Sequence, residues 1–192
     1  MIIIGIDPGT ATTGWGVIKY EKNSRHSLRT NQPVFTDRSV EFINFGCIIT
    51  ELDRQLGDGG MGNRLATLRR ELRKIIKTYT PDEAVVEQLF FGVNSATAMK
   101  VGQARGVIIE TLAYEKLPVY EYTGLAIKRL VANHGHSKKK EIQIAVNKII
   151  RVKEVLNPTD QDGKVVKRFR DDAYDAVAAA LCRIMKLETD RK

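Results

Sequence analysis

Four acidic side chains stand at positions where a carboxylate is costly unless it has a partner. Asp7 follows the apolar run Ile2–Ile6, and Glu87 ends the short apolar run EAVVE. Asp172 and Asp175 are three residues apart near the carboxyl end of the chain, a spacing that puts both on one face of a helix. A buried charge must be paired, protonated or bound to a metal, so we expect each of these carboxylates to have a cationic partner, a proton or a metal ion.

Two chemistries use an acidic residue at the end of a strand. If the strand-end carboxylates and the helical pair converge, a hard divalent cation such as Mg²⁺ or Mn²⁺ neutralises them best. Two such ions about 4 Å apart can activate water and stabilise the attacking and leaving oxygens in phosphodiester cleavage. The run from Asp7 to Thr10 also suggests the phosphate loop of an actin-like ATPase, which normally requires a second such domain and a longer chain.

The pattern of apolar residues predicts the strands and helices that position these carboxylates. Three successive strands would form an antiparallel meander, and two more alternate with helices, which is typical of an α/β domain with a mixed sheet. We predict strands at Ile2–Ile6, Gly14–Tyr20, Val40–Thr50, Glu83–Glu87 and Leu117–Tyr122. We predict helices from an Asn63 cap to Pro81, from an Asn94 or Ser95 cap to Lys116, and at Gly124–Ala132, Lys138–Val152 and Phe169–Lys186.

Small residues indicate where helices approach a neighbour closely. In the last helix, Ala176 and Ala179 extend the acidic face, so this face can lie close against the sheet, and Val177 is predicted on the other side. Gly102 and Gly106 are one turn apart in the helix after the fourth strand. They permit close packing there despite a helix cost of about 1 kcal/mol each.

Length and composition indicate a single domain over residues 1–192. The chain is 43% hydrophobic and 28% charged, and no apolar run approaches the roughly 20 residues of a membrane-spanning helix. Cys47 and Cys182 are too few and too scattered for a disulfide framework or a zinc site, so we expect both to be buried. No secretory signal is apparent, and we expect a cytoplasmic protein without membrane contact.

The positive charge is concentrated in one stretch of the sequence. The net charge is +8, and residues 124–170 contain twelve Lys or Arg and four Asp or Glu, which accounts for the whole excess. A local basic surface is typical of proteins that bind nucleic acid.

Four segments around these residues carry a family resemblance. They are GIDPGTATTGWGVI, VVEQLFFGVNSATAMKVGQARGVI, LPVYEYTGLAIKRLVANHGHSKKKEIQ and DAYDAVAAAL, and they extend over most of the chain. Together they resemble the RuvC family of Holliday-junction resolvases. The resemblance implies the RNase H-like fold shared with retroviral integrases, a five-stranded mixed sheet flanked by helices whose first three strands are antiparallel.

The resemblance also assigns roles to individual residues. It places the family's catalytic, metal-binding carboxylates on Asp7, Glu87, Asp172 and Asp175, with Mg²⁺ as the metal and Mn²⁺ as a substitute. The spacing D-x-x-D-A favours Asp172 over its neighbour Asp171.

DNA-binding roles follow from the same resemblance. Phe90 matches an aromatic residue that stacks on an unpaired base at the junction crossover, a contact worth about 1–3 kcal/mol. Lys128 and Lys139 match lysines near the scissile phosphate or along the DNA path. Lys138 and Lys140 would add salt-sensitive phosphate contacts.

Two regions are longer than the family usually has. One is an extended hairpin or loop at about residues 21–41, and the other is a basic linker at about residues 157–170. The linker adds four basic residues before the last helix, namely Lys164, Lys167, Arg168 and Arg170. We hypothesise that the linker is an additional DNA-binding arm.

The resemblance predicts a Mg²⁺-dependent endonuclease that resolves four-way DNA junctions in recombination and repair. Paired symmetric nicks would leave 5′-phosphate and 3′-hydroxyl ends. Because one domain carries one site, two cuts imply a homodimer, and the family's partners are branch-migration proteins. The helix with Gly102 and Gly106 is a candidate dimer interface, with packing on its own sheet as an equal alternative. Two other functions stay open: a related RNase H-like nuclease that acts on RNA or flap DNA, and a non-catalytic junction-binding protein.

Overall fold

The computed structural model describes residues 1–21, 40–57, 59–88 and 95–190. Phe90 and most of the predicted hairpin at 21–41 therefore lie outside the described residues. The strands are β1 (Ile2–Asp7), β2 (Thr12–Tyr20), β3 (Val40–Ile49), β4 (Glu83–Gln88) and β5 (Val119–Thr123). The helices are α1 (Met61–Tyr79), α2 (Ser95–Tyr114), α3 (Gly124–Val131), α4 (Lys139–Ile150) and α5 (Arg170–Thr189), with a short 3-10 turn at Lys167–Phe169.

The five strands form one mixed sheet in the order β3-β2-β1-β4-β5. Strands β1, β2 and β3 pair antiparallel, whereas β4 is parallel to β1 and β5 is parallel to β4. This topology confirms the predicted fold class, an RNase H-like mixed sheet flanked by helices.

Helices cover both faces of the sheet. Ile4 and Ile6 of β1 face a core formed with α1 and α2, whereas Ile3 faces the core formed with α3, α4 and α5. In β4, Val86 faces the core formed with α1 and α2, and Val85 faces the core formed with α3, α4 and α5. Side chains of a strand alternate between its two faces. Asp7 therefore lies on the same face as Ile3, and Glu87 on the same face as Val85. None of the helices in the described part of the chain has an apolar stretch long enough to span a bilayer.

Helix α5 lies unusually close to β1 and β2. A Cβ atom at Gly5 would overlap the carbonyl of Ala176, and one at Gly14 would overlap the carbonyl of Asp172. The predicted close approach of the alanine face is therefore correct, and glycines of the sheet make it possible. Val177 was predicted on the other side of the helix, and that prediction is wrong, because its side chain fills the space where a Cβ of Gly16 would stand.

Two expectations about helix details fail. Helix α1 begins at Met61 after Gly60, whose φ of 69° suits a glycine, so Asn63 lies inside the helix and does not cap it. A Cβ at Gly102 or Gly106 would meet no described atom within 4 Å, so close packing within the described chain does not require either glycine. Cys47 and Cys182 are fully buried, as expected.

Candidate active site

The carboxyl ends of two adjacent parallel strands bring Asp7 and Glu87 together. Ile6 of β1 pairs with Val86 of β4, and the two acidic residues follow immediately. By the strand alternation, Asp7 faces the same side as Ile3, which is the side that α5 covers. The strand register thus places two carboxylates beside the start of α5.

The first turns of α5 bring Asp172 and Asp175 to the same place. Gly14 of β2 pairs with Asp7 across the antiparallel ladder, and Asp172 lies directly against Gly14 because that residue has no side chain. Asp175 follows one turn later on the same face of the helix. The close approach of α5 to the sheet therefore puts both helical carboxylates next to the strand ends.

The four carboxylates affect one another's pKa values. Burial raises the pKa of Asp7 well above its ordinary value, and the negative charges of Glu87, Asp175 and Asp172 raise it further. Burial and then Asp175 raise the pKa of Glu87 to about 7. Burial raises the pKa of Asp175 to about 6, with Asp172 adding to the shift, and burial also raises the pKa of Asp172. Burial, with like charge in addition, therefore favours the protonated forms of these carboxylates when no cation is bound.

Two lysines oppose this effect without forming an ion pair with the four carboxylates. Lys128 of α3 lowers the pKa of Glu87, and Lys128 and Lys139 both lower that of Asp175, in each case against the larger effect of burial. Lys139 acts in the same direction on Asp7. Lys138 and Lys140 flank Lys139 at the start of α4 and are exposed. Of the predicted phosphate-binding lysines, Lys128 and Lys139 thus lie near the carboxylates, and Lys138 and Lys140 are the sequence neighbours of Lys139.

The structure distinguishes Asp171 from Asp172. The carboxylate of Asp171 accepts a hydrogen bond from Nε2 of Gln143 at 2.6 Å and lies 3.2 Å from Nζ of Lys139. Both partners belong to α4, so the carboxylate of Asp171 is already engaged within the chain. This arrangement favours Asp172 as the site residue.

The donor set suits a hard divalent cation, since all four groups are carboxylate oxygens that repel one another when ionised. Within the described residues, however, no three His, Cys, Asp or Glu side chains are grouped closely enough to hold a metal ion. The backbone thus brings the carboxylates into one neighbourhood, and their side chains stand apart.

Two residues near the site were missed from the sequence. A Cβ at Gly124, the first residue of α3, would overlap Oε1 of Glu87, so this glycine leaves room for the carboxylate. Nothing in the sequence signalled that contact. Arg64 is 8% exposed and donates from Nη2 to the carbonyl of Thr10 at 2.7 Å and from Nε to Oγ1 of Thr50 at 3.1 Å. It thereby holds the loop that follows Asp7.

Arg64 could have been found from the helical period. It precedes the buried Leu68 and Leu72 by four and eight residues, a spacing that puts a basic side chain on the buried face of α1.

Comparison with known proteins gives one consistent family. The family model described as crossover junction endodeoxyribonuclease RuvC matches residues 3–183. The protein of that name from Syntrophomonas wolfei is 36% identical over 184 residues, which cover 96% of this chain and 88% of the relative. The one from Pelotomaculum thermopropionicum is 36% identical over 192 residues, which cover 100% of this chain and 98% of the relative.

Solved structures show the same fold. Thermus thermophilus RuvC aligns with a TM-score of 0.73 at 23% identity, over 99% of this chain and 97% of that one. The same protein in complex with a Holliday junction substrate aligns with a TM-score of 0.74 at 23% identity, over 99% and 96% of the two chains.

Proposed function

The chain belongs to the RuvC family of crossover junction endodeoxyribonucleases, which makes it an endonuclease that resolves Holliday junctions, and we propose that Asp7, Glu87, Asp172 and Asp175 perform this reaction with Mg²⁺. One observation carries the proposal. Asp7 pairs in register with Gly14, the glycine that the backbone carbonyl of Asp172 approaches, while Glu87 is the penultimate residue of the neighbouring parallel strand.

Each group has a role that follows from its charge and position. The four carboxylates would hold the cation through oxygen, and its charge would offset the like-charge repulsion among them. Bound Mg²⁺ supplies a more acidic water and neutralises charge at the phosphate, and Mn²⁺ is an alternative of similar chemistry. Lys128 and Lys139 bind phosphate oxygens beside the carboxylates. In-line hydrolysis then leaves 5′-phosphate and 3′-hydroxyl ends.

DNA binding is proposed to extend outward from this site. Lys138 and Lys140 are exposed beside Lys139 and contact backbone phosphates on either side of the scissile one. Phe90, which lies outside the described residues, follows Glu87 by three positions and stacks on an unpaired base at the crossover.

Resolution requires two symmetric cuts, and each chain supplies one site, so we propose a homodimer. The surface between α1 and α2 is the proposed interface. Gly106 leaves an open space there, and Tyr114 of α2 is 60% exposed. Branch-migration proteins are the proposed partners, and the cytoplasm is the proposed location.

The test compares Asp7→Asn with Asp190→Asn, which changes an exposed acidic residue at the far end of α5. Both variants are given a four-way junction, linear duplex, flap DNA and an RNA–DNA hybrid, with and without Mg²⁺. We expect wild type and Asp190→Asn to cut only the junction and only with Mg²⁺. We expect Asp7→Asn to lose cleavage by about a thousandfold or more while it still binds the junction. Preferred cutting of the hybrid or the flap would contradict the substrate, and an active Asp7→Asn would contradict the mechanism.

A further inference from the structure

The segment at residues 157–169, here named the basic loop, is attached to the outer edge of the sheet. The backbone N–H of Cys47 in β3 donates to the carbonyl of Thr159 at 2.9 Å. The side chain of Gln161 binds both backbone groups of Ile49, since it accepts from the N–H at 2.9 Å and donates to the carbonyl at 3.0 Å. The loop thus satisfies edge-strand groups and is fixed at two points of β3.

The loop is also held together by its own hydrogen bonds. The N–H of Val166 donates to the carbonyl of Pro158 at 2.8 Å, and the N–H of Asp160 donates to the carbonyl of Lys164 at 2.9 Å. Oδ1 of Asp160 accepts from the N–H groups of Asp162 and Lys164, both at 2.9 Å. One of the two acidic residues of the loop is therefore engaged inside its turn.

The far end of the loop returns to the same point of the sheet. Sγ of Cys47 donates to the carbonyl of Phe169 at 3.3 Å, and α5 begins at the next residue. Asp172 follows three positions after Phe169. Both ends of the loop are therefore attached at Cys47, which is close enough to the active site that the charges of Asp172 and Asp7, after burial, help to raise the pKa of its thiol to about 12.

Three cationic side chains lie on the exposed side of the loop, and the guanidinium of Arg168 stacks over the ring of Phe169 at 5.3 Å. Lys164, Lys167 and Arg168 are exposed, and the stretch from Lys164 to Arg170 has no acidic residue. Among the described residues, none of the three takes part in an ion pair, and Nε of Arg170 is buried without a hydrogen-bond partner.

The basic face of α1 is different. Arg69, Arg73 and Lys74 each lie within 3.4 Å of a glutamate oxygen, so each of these three cations has an acidic neighbour within the chain. Unmatched charge on the loop points to an anion from outside the chain.

We propose that the basic loop binds the phosphate backbone of a DNA duplex arm next to the cleavage site, through Lys164, Lys167 and Arg168. This inference rests on the proposed function, because it takes the junction as the ligand. A loop already fixed on β3 loses little conformational freedom on binding, so its contacts contribute more to affinity than those of a free tail. Each phosphate contact releases counterions, so the loop increases the salt dependence of junction binding.

The test changes all three residues to glutamine in an Asp7→Asn background, so that binding is measured without cleavage. A control variant removes the same charge elsewhere, with Lys77→Gln, Lys148→Gln and Lys153→Gln, all at exposed positions. Junction affinity is measured over a series of KCl concentrations. The logarithm of the association constant falls with the logarithm of the salt concentration. Loss of three phosphate contacts should make this negative slope less steep by about 2.7 and weaken binding by about tenfold or more.

An unchanged slope relative to the control variant would overturn the proposal and would favour an acidic protein surface as the partner of the loop. In the active enzyme, the same triple substitution should raise the junction concentration needed for half-maximal cleavage by about tenfold or more, because the loop contributes to DNA binding. The proposed function is tested separately: if the wild-type chain fails to cut junctions, that function is contradicted, while the salt slope still decides whether the loop binds DNA.

Discussion

Strand β4 and helix α5 meet at two places where charged side chains lie close together. At one place opposite charges form an ion pair, and at the other two acidic side chains lie near each other. At the first place, Glu83 accepts hydrogen bonds from Arg183 at 2.8 and 3.1 Å, and the guanidinium lies 3.4 Å from the ring centre of Tyr120. At the second place, Glu87 and Asp175 form no ion pair within the described residues, and burial with like charge raises the pKa of each. The first arrangement is balanced and the second is not.

The difference separates groups that stabilise the fold from groups that are available to a ligand. A buried ion pair that loses one partner leaves an uncompensated charge, so the Glu83–Arg183 pair is required once the fold has adopted it. An unbalanced cluster destabilises the folded state until a cation or a proton arrives. Substitutions at the two places should therefore have opposite consequences.

The largest expected effect is on cleavage. Glu87→Gln removes a proposed cation ligand, so junction cleavage should fall by about a thousandfold or more. Glu83→Gln makes the same chemical change four residues earlier in the same strand, and cleavage per folded molecule should stay within about threefold of wild type. Single-turnover cleavage with Mg²⁺, normalised to the folded fraction, measures both. Equal losses in the two variants would contradict the division of roles.

Stability should change in the reverse sense. Glu83→Gln leaves Arg183 buried without its carboxylate and should lower the free energy of unfolding by about 3 kcal/mol. Glu87→Gln removes a carboxylate whose pKa in the folded state is raised to about 7. This substitution should therefore raise the free energy of unfolding of the metal-free protein at pH 7.5 by on the order of 2 kcal/mol. Urea unfolding in EDTA measures both values. A destabilised Glu87→Gln variant would show that this carboxylate is balanced after all.

The pH dependence sharpens the same comparison. Burial and then Asp175 raise the pKa of Glu87 from 4.5 to about 7, so the folded state holds this proton more tightly than the unfolded chain does. The contribution to stability is present below pH 4.5 and is lost as the pH rises to about 7. The stability advantage of Glu87→Gln over wild type should therefore be near zero at pH 4 and grow until about pH 7. Metal-free unfolding at several pH values checks this, and a constant advantage would contradict the raised pKa.

Much of this arrangement could be predicted from the sequence because it depends on period and order. The apolar runs of the sequence located β1 and β4 to within one residue. The convergence of Asp7 and Glu87 was only a condition at that point, and the parallel pairing of β1 with β4 meets it. The spacing of Asp172 and Asp175 on one helical face followed from the helix period alone.

Other features depend on contacts between distant segments, which periodicity does not encode. Val177 was assigned to the wrong side of α5, because the absence of a side chain at Gly16 lets a branched residue fit against the sheet. The sequence predicted the basic loop as a polar linker with positive charge and led to the hypothesis of a DNA-binding arm, but it did not predict where the loop is attached. Its attachment through Thr159 and Gln161 uses backbone groups of an edge strand more than 100 positions earlier, a pairing without a local signal.

The smallest expected effect concerns a buried cation that is not part of either charge arrangement. Arg64 hydrogen-bonds to the carbonyl of Thr10 and to Oγ1 of Thr50, so it holds the loop after Asp7 without neutralising a carboxylate. Arg64→Met should slow cleavage at saturating junction by about tenfold, since Asp7 loses its support, whereas junction affinity should stay within twofold of wild type. The exposed Arg54 is the matched control, as Arg54→Met.

Arg64→Lys should recover part of the rate, because a lysine still donates to the carbonyl of Thr10. The gain in the free energy of unfolding that Glu87→Gln produces should keep the same pH dependence in the Arg64→Met background. In the described part of the chain, Arg64 forms no ion pair with the active-site carboxylates, so its removal should leave their pKa values unchanged. If that pH dependence shifts, Arg64 contributes to the charge balance of the site. If the cleavage rate per folded molecule is unchanged, the loop after Asp7 is held by its own hydrogen bonds and Arg64 only stabilises the fold.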